Sequence, residues 1–316
     1  MADYITDTWS LMQAVKQNLK DYRKYTGVLR LSRGEINFGL GFILPKTVFP
    51  AITVFPMSKT FGLRRSGGRS IIEYRLSVDI YSPRKKNIED AKDWVLDAVE
   101  DVKKCLIGSN MIMAGKKHCF DTAITGINIA EQASGSSGNT FQSIGSVQVS
   151  CSAYHYMAAD RNSDFGQAEI GTKAFQNKVL HLVKANTPNS HKVKDWIGKV
   201  AKTTLTNKTP VCMVLPGDEW VQEEEYAGRT DLLVRPIYFN VISNAFPKVD
   251  MVRENIALAD NIVTGVERAY RVGGYARNAV IRSITYDWGG QAKDFRFFSN
   301  VETQYECVQT ATRVLR

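Results

Sequence analysis

The chain has 316 residues, which at roughly 100 to 200 residues per domain predicts two domains. Hydrophobic residues make up 44% and charged residues 23%, a composition that excludes a disordered, collagenous or membrane-embedded chain. The net charge of +9 divides evenly, since residues 1–160 hold 20 Lys+Arg against 15 Asp+Glu and the remainder 21 against 17. Neither half is therefore the concentrated basic body of a nucleic-acid reader. No run reaches the roughly 20 apolar residues of a bilayer span, and Asp3 and Asp7 stand where a leader would be basic, which argues against membrane insertion and secretion.

In chain order, Trp9, Met12, Val15 and Leu19 form the stripe of a first helix that ends near Thr26 and Gly27. Gly39 and Gly41 make only a GxG within an aromatic stretch, too short for a dinucleotide site. AITVFP (Ala51 to Pro56) reads as a strand, followed by a polar Gly/Arg-rich loop from Met57 to Arg69. Ile72, Tyr74, Leu76, Val78 and Ile80 then alternate with polar residues, the period of a half-buried strand. Pro83 precedes a helix whose apolar stripe is Ile88, Ala91, Val95, Ala98, Val102 and Cys105, and Gly108 follows it. Two strands close the run, CFDTAITGINIA and FQSIGSVQVSCSAY, joined by the Gly/Ser-rich hairpin loop Ala133 to Asn139, which lacks the Lys-Ser/Thr ending of a phosphate loop.

The same order returns after a polar linker, Met157 to Gln167. Two short helical stretches are expected at Phe175 to Val183 and Val193 to Val200. They precede VCMVLP, the acidic Glu223 to Glu225 and the strand DLLVRPIYFNVISN, in which Pro236 predicts an edge position or a bulge because proline cannot donate to a ladder. Val249, Val252, Ile256, Ala259, Val263, Val266 and Tyr270 stripe the following helix, Gly273 caps it, and NAVIRSITYDW and FRFFSNVETQYECV finish the run. The expected fold is α+β: two tandem two-layer α/β sandwiches, residues 1–160 and a divergent second copy at 161–316, each with a mostly antiparallel sheet against helices.

Chemistry-bearing patterns are scarce. Cys105, Cys119, Cys151, Cys212 and Cys307 are odd in number, far apart and in apolar settings, so they read as reduced core thiols. His118, His155, His181 and His191 show no ligand spacing, and no metal, cofactor or catalytic residue is assigned. The clusters at Arg64, Arg65 and Arg69, at Arg84 to Lys86 and at Lys116 and Lys117 are either solvated loop charge or a contact surface for an acidic partner. Glu223 to Glu225 allow the same pair of readings, solvated loop or interface patch.

With these patterns in hand, AITVFP, the long loop after it, YRLSVDIYSP (Tyr74 to Pro83) and FQSIGSVQVSCSAY (Phe141 to Tyr154) resemble the phage tail terminator, or tail completion, family over most of residues 1–156, with a degenerate second copy at about 168–312. That resemblance implies a non-enzymatic virion protein, assembled in the host cytoplasm. It would form a homo-oligomeric ring on the head-proximal end of the tail tube, stop tube polymerisation, meet a neck or head-completion protein and let DNA pass without sequence-specific binding. A sheath protein is a further partner if the tail is contractile. Loop length and charge single out Lys59, Arg64, Arg65 and Arg69 as an arm on the tube, with Glu223, Glu224, Glu225 and Tyr226 at the equivalent place in the second copy. A typical member has one such unit, so six or three doubled chains both close a ring, and six are favoured. The competing expectations are a tail tube, baseplate or neck adaptor subunit, and after them a basic DNA-binding protein.

Overall fold

A computed structural model of the chain describes residues 7–25, 36–41, 49–62, 69–107, 111–113, 116–133, 140–156, 170–198, 210–222, 232–244, 249–289 and 296–308. It is a mixed α/β protein with two compact units, Met1–His155 and Tyr156–Arg316. The first contains helices α1 (Thr8–Tyr25) and α2 (Ile88–Leu106) and strands β1 (Asn37–Leu40), β2 (Ala51–Phe61), β3 (Arg69–Tyr81), β4 (Ile112–Met113), β5 (Lys116–Lys117), β6 (Asp121–Ala133) and β7 (Phe141–Tyr156). Its main sheet has the order β1–β2–β3–β7–β6, with β4 and β5 forming a separate two-stranded ribbon. β1 runs parallel to β2, while β2 with β3 and β6 with β7 are antiparallel. The contacts Ser77–Ser146 and Glu73–Ser150 run in opposite directions along β3 and β7, which makes that pair antiparallel too.

The periodicities act as they must. On β3, Ile72, Tyr74, Leu76, Val78 and Ile80 are all buried, and so are Val147, Val149, Cys151 and Ala153 on β7. α1 begins at Asp7, whose carboxylate accepts from the Ser10 N–H and hydroxyl at 2.7 Å each, satisfying otherwise orphaned first-turn donors. α2 begins at Asn87, whose side chain accepts from the Glu89 N–H. Ala91, Val95, Ala98 and Val102 face the sheet. The approach is closest at Gly145 of β7, where an added Cβ would lie 2.6 Å from Val95 Cγ1 and 2.9 Å from Val99 Cγ2. Only glycine lets helix and strand come this near.

The second unit contains α3 (Thr172–Asn186), α4 (Val249–Arg268) and strands β8 (Asp195–Ile197), β9 (Val211–Pro216), β10 (Trp220–Gln222), β11 (Leu232–Asn244), β12 (Asn278–Gly289) and β13 (Arg296–Val308). Its strand order is β8–β9–β11–β13–β12, and β10 pairs with β11 beyond the end of β9. β8 is parallel to β9, and the pairs β9–β11, β11–β13 and β12–β13 are antiparallel. The buried stripe of α4, Val252, Ile256, Ala259, Val263 and Val266, covers the sheet. Gly273 follows with φ +65°, the left-handed conformation that glycine adopts at little cost.

Two expectations are corrected. The segment after α3 is not a second helix. It is a 3-10 turn at Ser190–Lys192 followed by β8, because Trp196 and Ile197 find a sheet edge in β9 (Trp196 opposite Cys212). Nor does Pro236 mark an edge or a bulge. Its strand β11 is central, paired without a register shift to β13 from Leu232 to Asn244. The Pro236 carbonyl accepts from the Gly217 N–H at 2.9 Å, so its nitrogen points to the β9 side of the strand. There β9 has ended at Pro216, opposite Ile237, and β10 begins only at Trp220, opposite Val234. The missing donor falls in the gap between two strands and interrupts no ladder.

A polar knot fixes α4 to its sheet. The buried Asn255 donates to the Val241 carbonyl (3.1 Å), the Ser243 hydroxyl (3.1 Å) and the Phe297 carbonyl (3.3 Å), and accepts from the Ser299 hydroxyl. Replacing Asn255 with Ala leaves two buried hydroxyls short of a partner. It is expected to cost about 2–3 kcal/mol, read as a fall of roughly 5 °C or more in the thermal unfolding midpoint; an unchanged midpoint would show that the knot contributes nothing.

Candidate interaction surface

The residues expected to form arms are placed as follows. Lys59 lies inside β2, opposite Tyr74 of β3, and is 4% exposed. A register shift between Pro56 and Ser58 sets the phase of this strand end. The Lys59 ammonium sits 5.2 Å from the ring centres of both Phe61 and Tyr74, a cation–π placement that offsets part of the cost of taking the charge out of water. Phe61 in turn meets the His155 ring edge-to-face at 5.6 Å. The loop expected from Met57 thus starts later, because β2 continues as strand to Phe61 and Lys59 belongs to its packing. Arg69 is the first residue of β3. Arg64, Arg65, Glu223, Glu224, Glu225 and Tyr226 lie outside the described residues.

The root of the second unit's acidic segment is built from β10, absent from the sequence expectation. Trp220 and Val221 there are 43% and 48% exposed, large apolar side chains held at the surface and separated from Glu223 by Gln222. The signal in the sequence is Trp-Val one residue ahead of an acidic run. Beneath β10, Arg235 of β11 is 4% exposed. Its Nε lies 3.2 Å from Glu219 Oε1 in an ion pair without hydrogen-bond alignment, its Nη1 donates to the Ile170 carbonyl at 2.7 Å, and its guanidinium lies 5.1 Å from the Phe175 ring centre. One buried cation thus ties the strand pair carrying the acidic segment to the start of α3.

In the first unit, β6 is the terminal strand of the sheet order, and it exposes Ile127 and Ile129. A long strand paired on one side offers backbone donors and acceptors to another chain. It carries a register shift between Ile124 and Gly126, a device that twists an edge.

All five cysteines are free thiols. Burial, followed by the nearby charges of Asp101 and Asp21, pushes the Cys105 thiol up to about 12. Burial alone pushes Cys212 up. Cys151 is raised by its hydrogen bond with Cys119 and by burial. Tyr81 is raised to about 12, by burial and then by Asp79. Among the described residues no group of three or more His, Cys, Asp and Glu side chains could hold a metal ion, and no helix is long and apolar enough to cross a membrane. Known protein families give no match to the chain, and no curated protein matches it.

Two outcomes follow from this chemistry. Arg235→Ala strands Glu219 beside an emptied, largely apolar site and is expected to destabilise the protein by about 3 kcal/mol, measured by urea unfolding. Recovery of that stability in Arg235→Met would mark the pair as replaceable by packing. The raised thiol and phenol values have a definite sign: the folded state holds these protons more tightly, so their stabilisation is complete below the unfolded values and is lost as pH rises toward about 12. The urea midpoint should fall steadily above about pH 9, and the fall should be shallower in Cys105→Ser; equal slopes would exclude the Cys105 share.

Proposed function

We propose that this chain is a structural phage virion protein of the tail terminator kind, a ring at the head-proximal end of the tail tube that halts tube polymerisation and joins tail to neck. The observation that carries the reading is adjacency. The three strand segments on which the resemblance rests fall in β2, β3 and β7, which are neighbours in one sheet, with α2 seated on β7 at Gly145. Segments that match only by chance have no reason to meet in space.

We further read residues 161–316 as a divergent copy of residues 1–160. The orders β1–β2–β3–β7–β6 and β8–β9–β11–β13–β12 correspond strand for strand, with a parallel first pair and antiparallel pairs after it. In each a helix precedes the sheet and a second helix follows the third strand. In this reading the exposed β6 edge and the apolar β10 are surfaces for neighbouring proteins, the tube protein and a neck or head-completion protein among them, with a sheath protein added in a contractile tail. Six copies form the ring, and DNA passes through it without base-specific contacts. No metal, cofactor or catalytic step is involved.

Negative-stain microscopy of the purified full chain tests this directly. Discrete annuli of uniform diameter are the expected result. Long filaments would transfer the chain to the tube-subunit reading, and isolated small particles at every protein concentration would refute the ring.

A further inference from the structure

The even division of charge between the halves conceals a local concentration. Residues 172–208 hold eight lysines, no arginine and one carboxylate, Asp195, and so carry seven of the nine net positive charges of the chain. On α3, Lys173, Lys178 and Lys184 are exposed, and Lys192 and Lys194 are exposed just beyond it. Among the described residues none of these lysines is held in an ion pair. At about 100° per residue, Lys173, Asn177, His181 and Lys184 form one stripe. It lies opposite the buried Phe175, Val179 and Val183.

The first unit carries the complement. On α2, Glu89, Asp93, Asp97 and Glu100 stand at the same spacing, i, i+4, i+8 and i+11, and all are exposed. They occupy the face opposite the buried Ala91, Val95, Ala98 and Val102. Glu100 meets Lys103 at 2.7 Å, an exposed pair at one end of the stripe. Leu96, 41% exposed, lies alongside. Like charges at i and i+4 repel by a few tenths of a kcal/mol per pair, so a helix bearing such a stripe is relieved when the opposite charge covers it.

We propose that the acidic stripe of α2 is the docking site for the basic stripe of α3 of a second copy of this chain. The two stripes are different surfaces on one polypeptide, so the contact is heterologous and repeats from copy to copy until it closes. The inference rests on the ring reading above and names the surfaces that close the ring. A phosphate backbone would satisfy the lysines alone. It would leave the carboxylates of α2 and the exposed Leu96 uncovered, whereas a second copy, with lysines at both ends of its α3 stripe, accounts for both faces. Each exposed ion pair contributes at most about 1 kcal/mol, so the stripes set orientation and encounter rate. Holding each copy at two faces in a closed ring multiplies these weak contacts.

Sedimentation velocity of the full chain at about 0.1 M and about 1 M salt, where the screening length falls from about 10 Å to about 3 Å, should show assembly at the lower salt and at least roughly tenfold weaker assembly at the higher. The variant Lys173→Glu, Lys184→Glu should fail to assemble, and so should Asp93→Lys, Asp97→Lys, Glu100→Lys. An equimolar mixture of the two should assemble again, because each supplies the face its partner lacks. That recovery also establishes that both variants are folded. Rings that persist in each variant alone would overturn the helix pairing while leaving the ring reading standing. A wild-type chain that stays monomeric at both salts would overturn both. Loss in the two variants without recovery on mixing would overturn the pairing, as would an α2 variant that still assembles beside an α3 variant that loses only salt-sensitive binding to duplex DNA of random sequence, a result that would assign the lysines to phosphates.

Discussion

At Gly145 the axis of α2 comes so near β7 that a single methyl group would strike Val95 and Val99. Much of the first unit depends on this approach. It lets the branched stripe of α2 interlock with the small and β-branched residues of the strand, so Ile80, Val147 and Val149 lose all contact with water. It also fixes where β7 and β3 stand beneath the helix, and hence the polar seam on their other side, where Ser77, Asp79 and Ser146 bond to one another and Ser150 to Glu73. Overpacking at such a point forces the layers apart, because a close-packed interior has no slack to absorb an added methyl.

The second unit solves the same mechanical problem differently. Its helix α4 is held by the Asn255 knot, in which one amide bonds to both β11 and β13, and the small residue in its helix layer is Gly265, where an added Cβ would come within 3.0 Å of the Val183 carbonyl oxygen on α3. Buried polar groups are stabilising only when fully satisfied. The close approach is thus helix to strand in one unit and helix to helix in the other, two different packings beneath sheets of the same strand order.

How much of this could be read from residue order follows from which forces are local. The stripe Ala91, Val95, Ala98 and Val102 and the alternation from Ile72 to Ile80 announce themselves because helix and strand periods are properties of the backbone alone. The strand β8 does not: Trp196 and Ile197 are followed by Gly198 and make no alternation, and only the edge offered by β9 turns them into a strand. Pro236 misleads for the same reason, since its tolerance depends on where β9 stops and β10 starts, both far off in sequence. Lys59 reads as loop charge until Tyr74 and Phe61 are seen on either side of it. Arg235 looks like a flaw in an apolar run, yet its partners Ile170, Phe175 and Glu219 come from three separate segments. The arms singled out by charge, at Arg64 and Arg65 and at Glu223 to Tyr226, fall outside the described residues.

Charge was the property most easily misjudged, because a sum over half a chain cannot distinguish dispersed from clustered residues. The seven excess charges of residues 172–208 are hidden in the smaller excess of residues 161–316 because the rest of that half has more acidic than basic residues. Interaction between surfaces is governed by distances comparable with the screening length, about 8 Å at physiological salt, and on a helix that distance corresponds to little more than one turn. The meaningful unit of charge is therefore the turn and the stripe. By that measure this protein is not a mildly basic body. It carries an acidic helix face in one unit and a basic one in the other, so a contact that pairs unlike faces is favoured electrostatically over one that pairs like faces.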